Sequence, residues 1–157
     1  MTIKTWSHIT ISMLLLALVG CSSMEQLTKS TMADKPLYER LGGKPAITAV
    51  VEDFVGRVAA DGRINGKFAN TDIPRLKTLL VEQICQATRG PCTYTGRSMK
   101  ATHAGLGVSG ADFDALVGNL VATLNQFKVP EREKNELLGA LGPMKKDLVE
   151  KSQISMK

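Results

Sequence analysis

Histidine and cysteine are the side chains of this sequence with the greatest capacity for chemistry, and both are scarce. The 157 residues include two histidines and three cysteines. His8 lies in an apolar N-terminal segment, which leaves His103 as the imidazole available to a folded domain. A neutral imidazole can act as a general base or as a metal ligand, although a lone histidine more often has a structural role. His103 is therefore the first candidate for a functional residue.

Two common kinds of site do not fit the residues around His103. A serine hydrolase of the nucleophile-elbow type requires a Gly-x-Ser-x-Gly motif, and the sequence has none. A zinc site takes about four protein ligands, and one histidine with two cysteines lacks the usual spacing. A single neutral imidazole is, however, what a five-coordinate haem iron requires from a protein. The residue types alone leave two interpretations of His103, a structural histidine and an axial haem ligand.

Cys21 closes an N-terminal targeting pattern. Lys4 is followed by an apolar run over residues 9–19, which is too short to span a bilayer as a helix. The run continues into Gly20 and Cys21 and resembles the lipobox of bacterial lipoproteins, in which the cysteine is acylated and becomes the new N-terminus. The alternative is an ordinary cleaved signal peptide that contains a cysteine.

On the lipoprotein interpretation, residues 1–20 form a signal peptide and Cys21 carries the lipid. The sequence then predicts an exported protein that is anchored to a membrane and faces the periplasm. Ser22 and Ser23 follow the cysteine instead of the acidic residue that typically retains lipoproteins in the inner membrane, which favours the outer membrane. Residues 21–35 are polar and aperiodic, and we expect them to form a flexible tether.

The other two cysteines, Cys85 and Cys92, are close in sequence. In an oxidising compartment they can form a short-loop disulfide, which the chain-entropy estimate values at about 2–3 kcal/mol. The alternative is a pair of free thiols in the core. Export favours the disulfide.

The composition predicts a globular domain with an ordinary solvated surface. Hydrophobic residues make up 43% of the chain and charged residues 22%, whereas aromatic residues make up only 4%. The formal net charge is +5, but acidic and basic residues are interspersed, as in residues 131–134. No stripe of aromatic and basic side chains indicates base stacking, so no nucleic-acid partner is expected.

Helical periodicity dominates the chain from residue 36 onward. Apolar residues recur three and four positions apart in a helix opened by Pro45, in a second helix ending near Thr88, in a third that follows Ser109, and in a last helix from Pro130 to Leu148. No segment alternates with period two, so the sequence predicts an all-α domain. We expect that domain to span residues 36–151, with residues 152–157 as a C-terminal tail.

Three stretches in order resemble the group I truncated haemoglobins: residues 37–43 (LYERLGG), 53–61 (DFVGRVAAD) and 94–107 (YTGRSMKATHAGLG). The third is the most specific, and the similarity extends from Leu37 to about Val149. It implies the shortened two-over-two globin fold and a b-type haem whose iron is bound by His103. It also implies the following haem contacts: Phe68 wedged against the haem face; Thr71, Arg75, Tyr94 and Lys100 at the haem edge and propionates; Met99 and Phe113 on the haem wall.

The sequence departs from this family where the bound ligand is expected. Val55 replaces the distal tyrosine, Leu76 and Leu80 occupy positions that often carry glutamine, and Arg89 replaces the first glycine of the second Gly-Gly pair. The first three replacements predict an apolar ligand pocket. Gln83, one turn beyond Leu80, is the nearby polar side chain, and we expect its helical position to point it away from the haem.

The function that follows from the resemblance is reversible binding of a diatomic gas, namely oxygen, nitric oxide or carbon monoxide. The alternatives are a haem redox enzyme, such as a nitric oxide dioxygenase or a peroxidase-like enzyme, and a sensor or haem carrier. Any repeated oxidation requires an external electron donor such as a reductase, because the sequence contains no reductase domain. A ligand-binding protein is therefore favoured over an enzyme.

Overall fold

The computed structural model describes residues 35–150, and within them the chain is helical without a β-strand. The predicted all-α class is thus confirmed. The signal peptide, Cys21, the tether and the C-terminal tail lie outside the described residues. Among the residues that the structure describes, no helix combines the length and hydropathy needed to cross a membrane. The α-helices are α1 (Leu37–Arg40), α2 (Gly43–Ala60), α3 (Ile73–Ala87), α4 (Met99–His103), α5 (Gly110–Gln126), α6 (Glu131–Leu141) and α7 (Lys145–Leu148), with 3-10 helices at Asn65–Phe68 and Gly142–Met144.

Polar side chains fix where two of the long helices begin. The Asp72 side chain caps α3 by accepting a hydrogen bond from the backbone N–H of Arg75. At the start of α5, the Ser109 hydroxyl accepts from the backbone N–H of Asp112, and the Asp112 carboxylate accepts from the Ser109 N–H. This capping box satisfies helix N–H groups that lack partners within the helix. The N-termini of α3 and α5 are therefore well defined.

The C-terminal part of the chain is not the single helix that the periodicity predicts. α6 ends at Leu141, a 3-10 helix follows over Gly142–Met144, and α7 then runs from Lys145 to Leu148. Pro143 explains the break, because proline has no N–H to continue the helical hydrogen bonds and its ring crowds the preceding turn. α2 also begins two residues earlier than predicted, at Gly43.

The apolar face of α2 is the centre of the core. It carries Val51 and Val58, which are 1% and 4% exposed, and packs chiefly against α3 and α5. Burial of such side chains contributes about 1.5–3 kcal/mol each. The remaining buried apolar residues of the cluster are Leu37, Ile47, Val50, Phe54, Val55, Ile64, Val81, Ile84, Cys85, Ala115, Leu120, Leu124 and Leu137.

Charged groups tie the short helix α1 to α6. The Arg40 side chain is 7% exposed, and it donates to Glu133 at 2.5 Å and also to Glu136. These two carboxylates raise the pKa of Arg40, and the guanidinium lowers the pKa of Glu136. The ion pairs hold the start of the domain on its C-terminal half.

The turn after α3 has a left-handed residue and a disulfide. Cys85 and Cys92 are bonded through their sulfur atoms in the structure. Between them, Arg89 has φ 62°, and the N–H of Gly90 donates to the carbonyl of Cys85 at 2.7 Å. A left-handed residue at the end of a helix is usually glycine. The replacement at position 89 therefore keeps a glycine conformation without a glycine.

Candidate functional site

Two adjoining cavities meet at His103. The first has a volume of about 530 Å³ and the second of about 170 Å³. Cofactor sites typically occupy about 300–1,000 Å³ and are mostly apolar with a few polar groups. The residues that line both cavities are Phe68, Leu76, Thr102, His103, Leu116 and Leu148.

His103 is the last residue of α4, a helix of five residues. The hydroxyl of Ser98 caps this helix by accepting from the backbone N–H of Ala101 at 3.3 Å. The imidazole Nδ1 lies 2.8 Å from the backbone carbonyl oxygen of Met99. Because a carbonyl oxygen only accepts, Nδ1 must carry the hydrogen, and Nε2 keeps its lone pair. The protein thus fixes one tautomer of His103, the one with a free Nε2.

These residues fit a haem. The cavity walls combine apolar side chains with one neutral imidazole whose Nε2 is free to bind a metal, which is the donor set of a five-coordinate haem iron. Phe68 lies on the wall of both cavities, and its contact with a haem face stays a prediction. Within the described part of the chain, no group of three or more His, Cys, Asp or Glu residues could hold a metal ion without such a cofactor.

Most of the site residues expected from the sequence line one or both cavities. Arg75 and Lys100 do not. Arg75 is exposed in the first turn of α3, and Lys100 is exposed and lines a third cavity of about 400 Å³, which His103 also borders. Their contacts with haem propionates stay a prediction. The expected residues on the cavity walls, apart from Phe68 and His103, are Thr71 and Phe113 in the first cavity, Leu76 in both, and Val55, Leu80, Tyr94 and Met99 in the second.

The second cavity has an apolar wall at the positions where the family often carries polar ligand-binding residues. Val55 is 6% exposed on α2, and Leu76 and Leu80 face the same cavity from α3. None of these three side chains can donate a hydrogen bond. The structure therefore places the three replacements on the wall of one cavity.

Gln83 also lines the second cavity, so the expectation that it points away is wrong. The physical reason is helix geometry. Residues 76, 80 and 83 follow the i, i+4, i+7 spacing, which places them on one face of α3. The Gln83 amide Nε2 lies 3.3 Å from the sulfur of Met99 and 3.0 Å from the sulfur of Met144.

The segment before α4 is held by polar side chains of α3. The backbone N–H of Tyr94 donates to the Gln86 side chain at 2.6 Å, and Thr95 donates to the Glu82 carboxylate through its N–H and its hydroxyl. The two bonds from Thr95 lower the pKa of Glu82. The Tyr94 hydroxyl donates to the carbonyl of Arg97 at 3.1 Å, and burial raises the pKa of this phenol. Tyr94 is thus a neutral phenol on the cavity wall.

Several wall residues were not expected from the sequence. Leu116 and Leu148 line both cavities, and Lys67, Arg97 and Leu106 line the first. Leu116 lies one turn after Phe113, so helical periodicity could have identified it. Leu148 comes from α7, and no local pattern connects it with His103. Lys67 donates to the carbonyls of Leu106 and Gly107, which ties the Phe68 segment to the chain after His103.

Comparison with known proteins gives a consistent result. The family model described as bacterial-like globin matches residues 36–150. A group 1 truncated hemoglobin of Mycolicibacterium paratuberculosis is 40% identical over 108 residues, which cover 69% of this chain and 79% of that protein. A group 1 truncated hemoglobin of Tetrahymena pyriformis is 33% identical over 115 residues, which cover 73% of this chain and 95% of that protein.

Solved structures of truncated haemoglobins are similar to the chain in fold. The truncated hemoglobin of Tetrahymena pyriformis in its Fe(III) form matches with a TM-score of 0.72 and 32% identity, over 74% of this chain and all 100% of that one. The 2/2 hemoglobin of Synechococcus sp., in the cyanomet state with covalently attached heme, matches with a TM-score of 0.70 and 35% identity, over 73% of this chain and 98% of that one.

Proposed function

The chain belongs to the bacterial-like globin family, and on this basis we propose that it is a truncated haemoglobin that binds a diatomic gas at a haem iron ligated by His103. The two-over-two fold of the family is the observed fold of residues 36–150, and the cofactor of the family is haem. The observation that carries the assignment of His103 is its fixed tautomer, with Nε2 free at the junction of two largely apolar cavities.

The residues around His103 have separate tasks in this function. Met99 accepts the Nδ1 hydrogen through its backbone carbonyl, which orients the imidazole and strengthens it as a ligand. Phe68 and Leu116 line both cavities and would provide apolar contact area for a bound haem. The apolar walls limit the access of water to the metal. The haem, when bound, supplies an iron with one open coordination position for the gas.

The wall formed by Val55, Leu76 and Leu80 determines which gas is preferred. Bound oxygen carries partial negative charge on its outer atom, and a donor to such a charged group contributes about 1.5–3 kcal/mol. No donor comes from these three positions. We expect the protein to favour carbon monoxide or nitric oxide over oxygen, since carbon monoxide is less polar when bound.

Reversible gas binding is favoured over redox catalysis as the function. The relatives and solved structures described above are haemoglobins. A repeated oxidation would additionally depend on an external reductase as electron donor. The wall of Val55, Leu76 and Leu80 offers no acid or cation to assist peroxide cleavage.

For localisation, we propose an exported lipoprotein anchored through Cys21, with its globin domain in the periplasm. The serine at position 22, where an acidic residue would favour the inner membrane, supports the outer membrane as the site of anchoring. The further supporting observations are the lipobox-like sequence at residues 18–21 and the bonded pair Cys85 and Cys92. Disulfides persist in oxidising compartments and are rare in the reducing cytosol.

The direct test of haem binding is an optical spectrum. The purified protein, reconstituted with haem, should give ferric, ferrous and carbonyl spectra of a globin with one haem per chain. A ferrous protein that fails to form a carbonyl complex would contradict gas binding. A haem that is not retained through gel filtration would contradict the assignment of the cavities as its site.

A further inference from the structure

We propose that Gln83 is a positioning residue that fixes His103 by binding Met99. This inference rests on the proposed function, because it concerns the residue that ligates the iron. It assigns a role to a polar side chain of α3 that lines the second cavity and does not ligate the iron.

The amide of Gln83 is an unusual group for its surroundings. Its neighbours on the wall of the second cavity include Val55 and Leu80, both apolar. A polar amide in such a place costs free energy unless its hydrogens are bonded. The two sulfur atoms of Met99 and Met144, at 3.3 Å and 3.0 Å from Nε2, are the acceptors that the structure provides. Two hydrogens thus meet two acceptors.

Met99 connects this amide with His103. It is the first residue of α4, its sulfur accepts from Gln83, and its backbone carbonyl accepts from Nδ1 of His103 at 2.8 Å. α4 has only five residues, so its own helical hydrogen bonds are too few to stabilise it alone. The helix must be held by contacts from outside, and the bond from Gln83 holds it from the interior of the domain.

A shift of Met99 would therefore change the orientation of the His103 ring. The carbonyl of Met99 sets the tautomer of His103 and the orientation of its ring. Loss of the Gln83 bond releases the side chain of the residue that carries this carbonyl. Met144 offers a comparison, because it accepts from the same amide but belongs to the 3-10 helix Gly142–Met144 and carries no backbone contact to the His103 ring.

The experiment uses the haem-loaded full chain and four variants: Gln83→Leu, Met99→Leu, the double variant of both, and Met144→Leu as the matched control. Two quantities are measured, the iron–histidine stretching band of the ferrous protein by resonance Raman spectroscopy and the rate of haem transfer to an excess of apomyoglobin. Met99→Leu keeps the backbone carbonyl and an apolar side chain but removes the sulfur acceptor.

We expect Gln83→Leu and Met99→Leu to displace the iron–histidine band in the same direction and to accelerate haem loss about five-fold, the equivalent of one hydrogen bond. Gln83→Leu also removes the bond to Met144, and the Met144→Leu control measures what that bond contributes. The double variant should match Gln83→Leu, because the Gln83–Met99 bond is already absent in that single variant. Met144→Leu should leave the band in place. If Gln83→Leu does not fold, Gln83→Met gives the same test, because it introduces a flexible apolar side chain of about the same length.

An unshifted band in Gln83→Leu, or additive effects in the double variant, would overturn the inference. Faster oxygen release in Gln83→Leu with an unshifted band would also overturn it, because Gln83 would then donate to the bound gas. Failure of the proposed function is a separate result: His103→Gly would keep its haem and its band. If His103→Gly loses the band and Gln83→Leu does not shift it, His103 remains the ligand and only the role of Gln83 falls.

Discussion

The Nδ1 atom of His103 lies 2.8 Å from the carbonyl oxygen of Met99, four residues earlier in the same short helix. In the neutral imidazole this hydrogen bond places the hydrogen on Nδ1 and leaves the lone pair on Nε2, which faces the cavity. An imidazole in this form binds a metal without first losing a proton. The relationship makes His103 the residue on which haem retention should depend.

The first prediction is that His103→Gly loses most of its bound haem, because no second imidazole in the described residues can replace the ligand. Added free imidazole should restore binding, since the glycine leaves space for it. The measurement is the haem absorbance retained after gel filtration. Ala101→Ser, an exposed change in the same helix, is the control and should bind normally. An unchanged ferrous spectrum in His103→Gly would contradict the assignment.

The second prediction concerns the ligand pocket. Val55→Tyr should slow oxygen dissociation about ten-fold or more, because its hydroxyl can donate to bound oxygen and about 1.4 kcal/mol is a factor of ten. Carbon monoxide dissociation should change much less. Val55→Phe is the matched control, since it adds the same ring to a buried position without the hydroxyl. Equal oxygen release from the tyrosine and phenylalanine variants would exclude the missing donor as the cause of the preference.

The third prediction concerns the disulfide. Reduction of Cys85–Cys92 should lower the free energy of unfolding by about 2–3 kcal/mol, because an open chain has more unfolded conformations. Urea unfolding with and without reductant measures the difference. The double variant Cys85→Ala/Cys92→Ala should be insensitive to reductant. Thiol labelling of both cysteines in unreduced protein from the periplasm would show that the bond is not formed there.

The fourth prediction concerns the turn after α3. Arg89→Gly should raise the free energy of unfolding by about 1 kcal/mol, because a side chain at φ 62° is strained and glycine is not. Ala49→Gly, at an exposed position inside α2, is the control in which glycine is unfavourable. It should lower the free energy of unfolding by a similar amount. Thermal unfolding of both variants gives the comparison. A lower melting temperature in Arg89→Gly would show that the arginine makes a compensating contact.

The fifth prediction concerns the anchor. Cys21→Ser should abolish lipidation and leave the chain unprocessed or released from the membrane, because the acylated thiol is missing. Incorporation of labelled fatty acid into the wild type and the variant is the measurement. A wild type that incorporates no label would contradict the lipoprotein interpretation and favour an ordinary signal peptide.

The sequence was sufficient for the helices and for much of the cavity wall. Burial of one helix face imposes the 3.6-residue period, and the apolar residues of α2 that follow it (Ile47, Val50, Val51, Phe54 and Val58) are all buried. In α5 the same pattern extends to Phe127, which is 42% exposed at the end of the helix. The same argument failed at residues 142–144, where Pro143 interrupts a periodic segment that otherwise has the pattern of one helix. Local pattern predicts which face is buried, but a single residue decides whether the helix continues.

The sequence by itself determined the all-α class, the family resemblance, the choice of His103 and the apolar character of positions 55, 76 and 80. Only the tertiary structure decided that Gln83 faces the cavity and binds Met99 and Met144, and that Leu148 lines both cavities. The reason is the range of the interactions. Periodicity and residue type report forces between neighbours in the chain, whereas the partners of Gln83 lie 16 and 61 residues away and meet it only after the helices have packed.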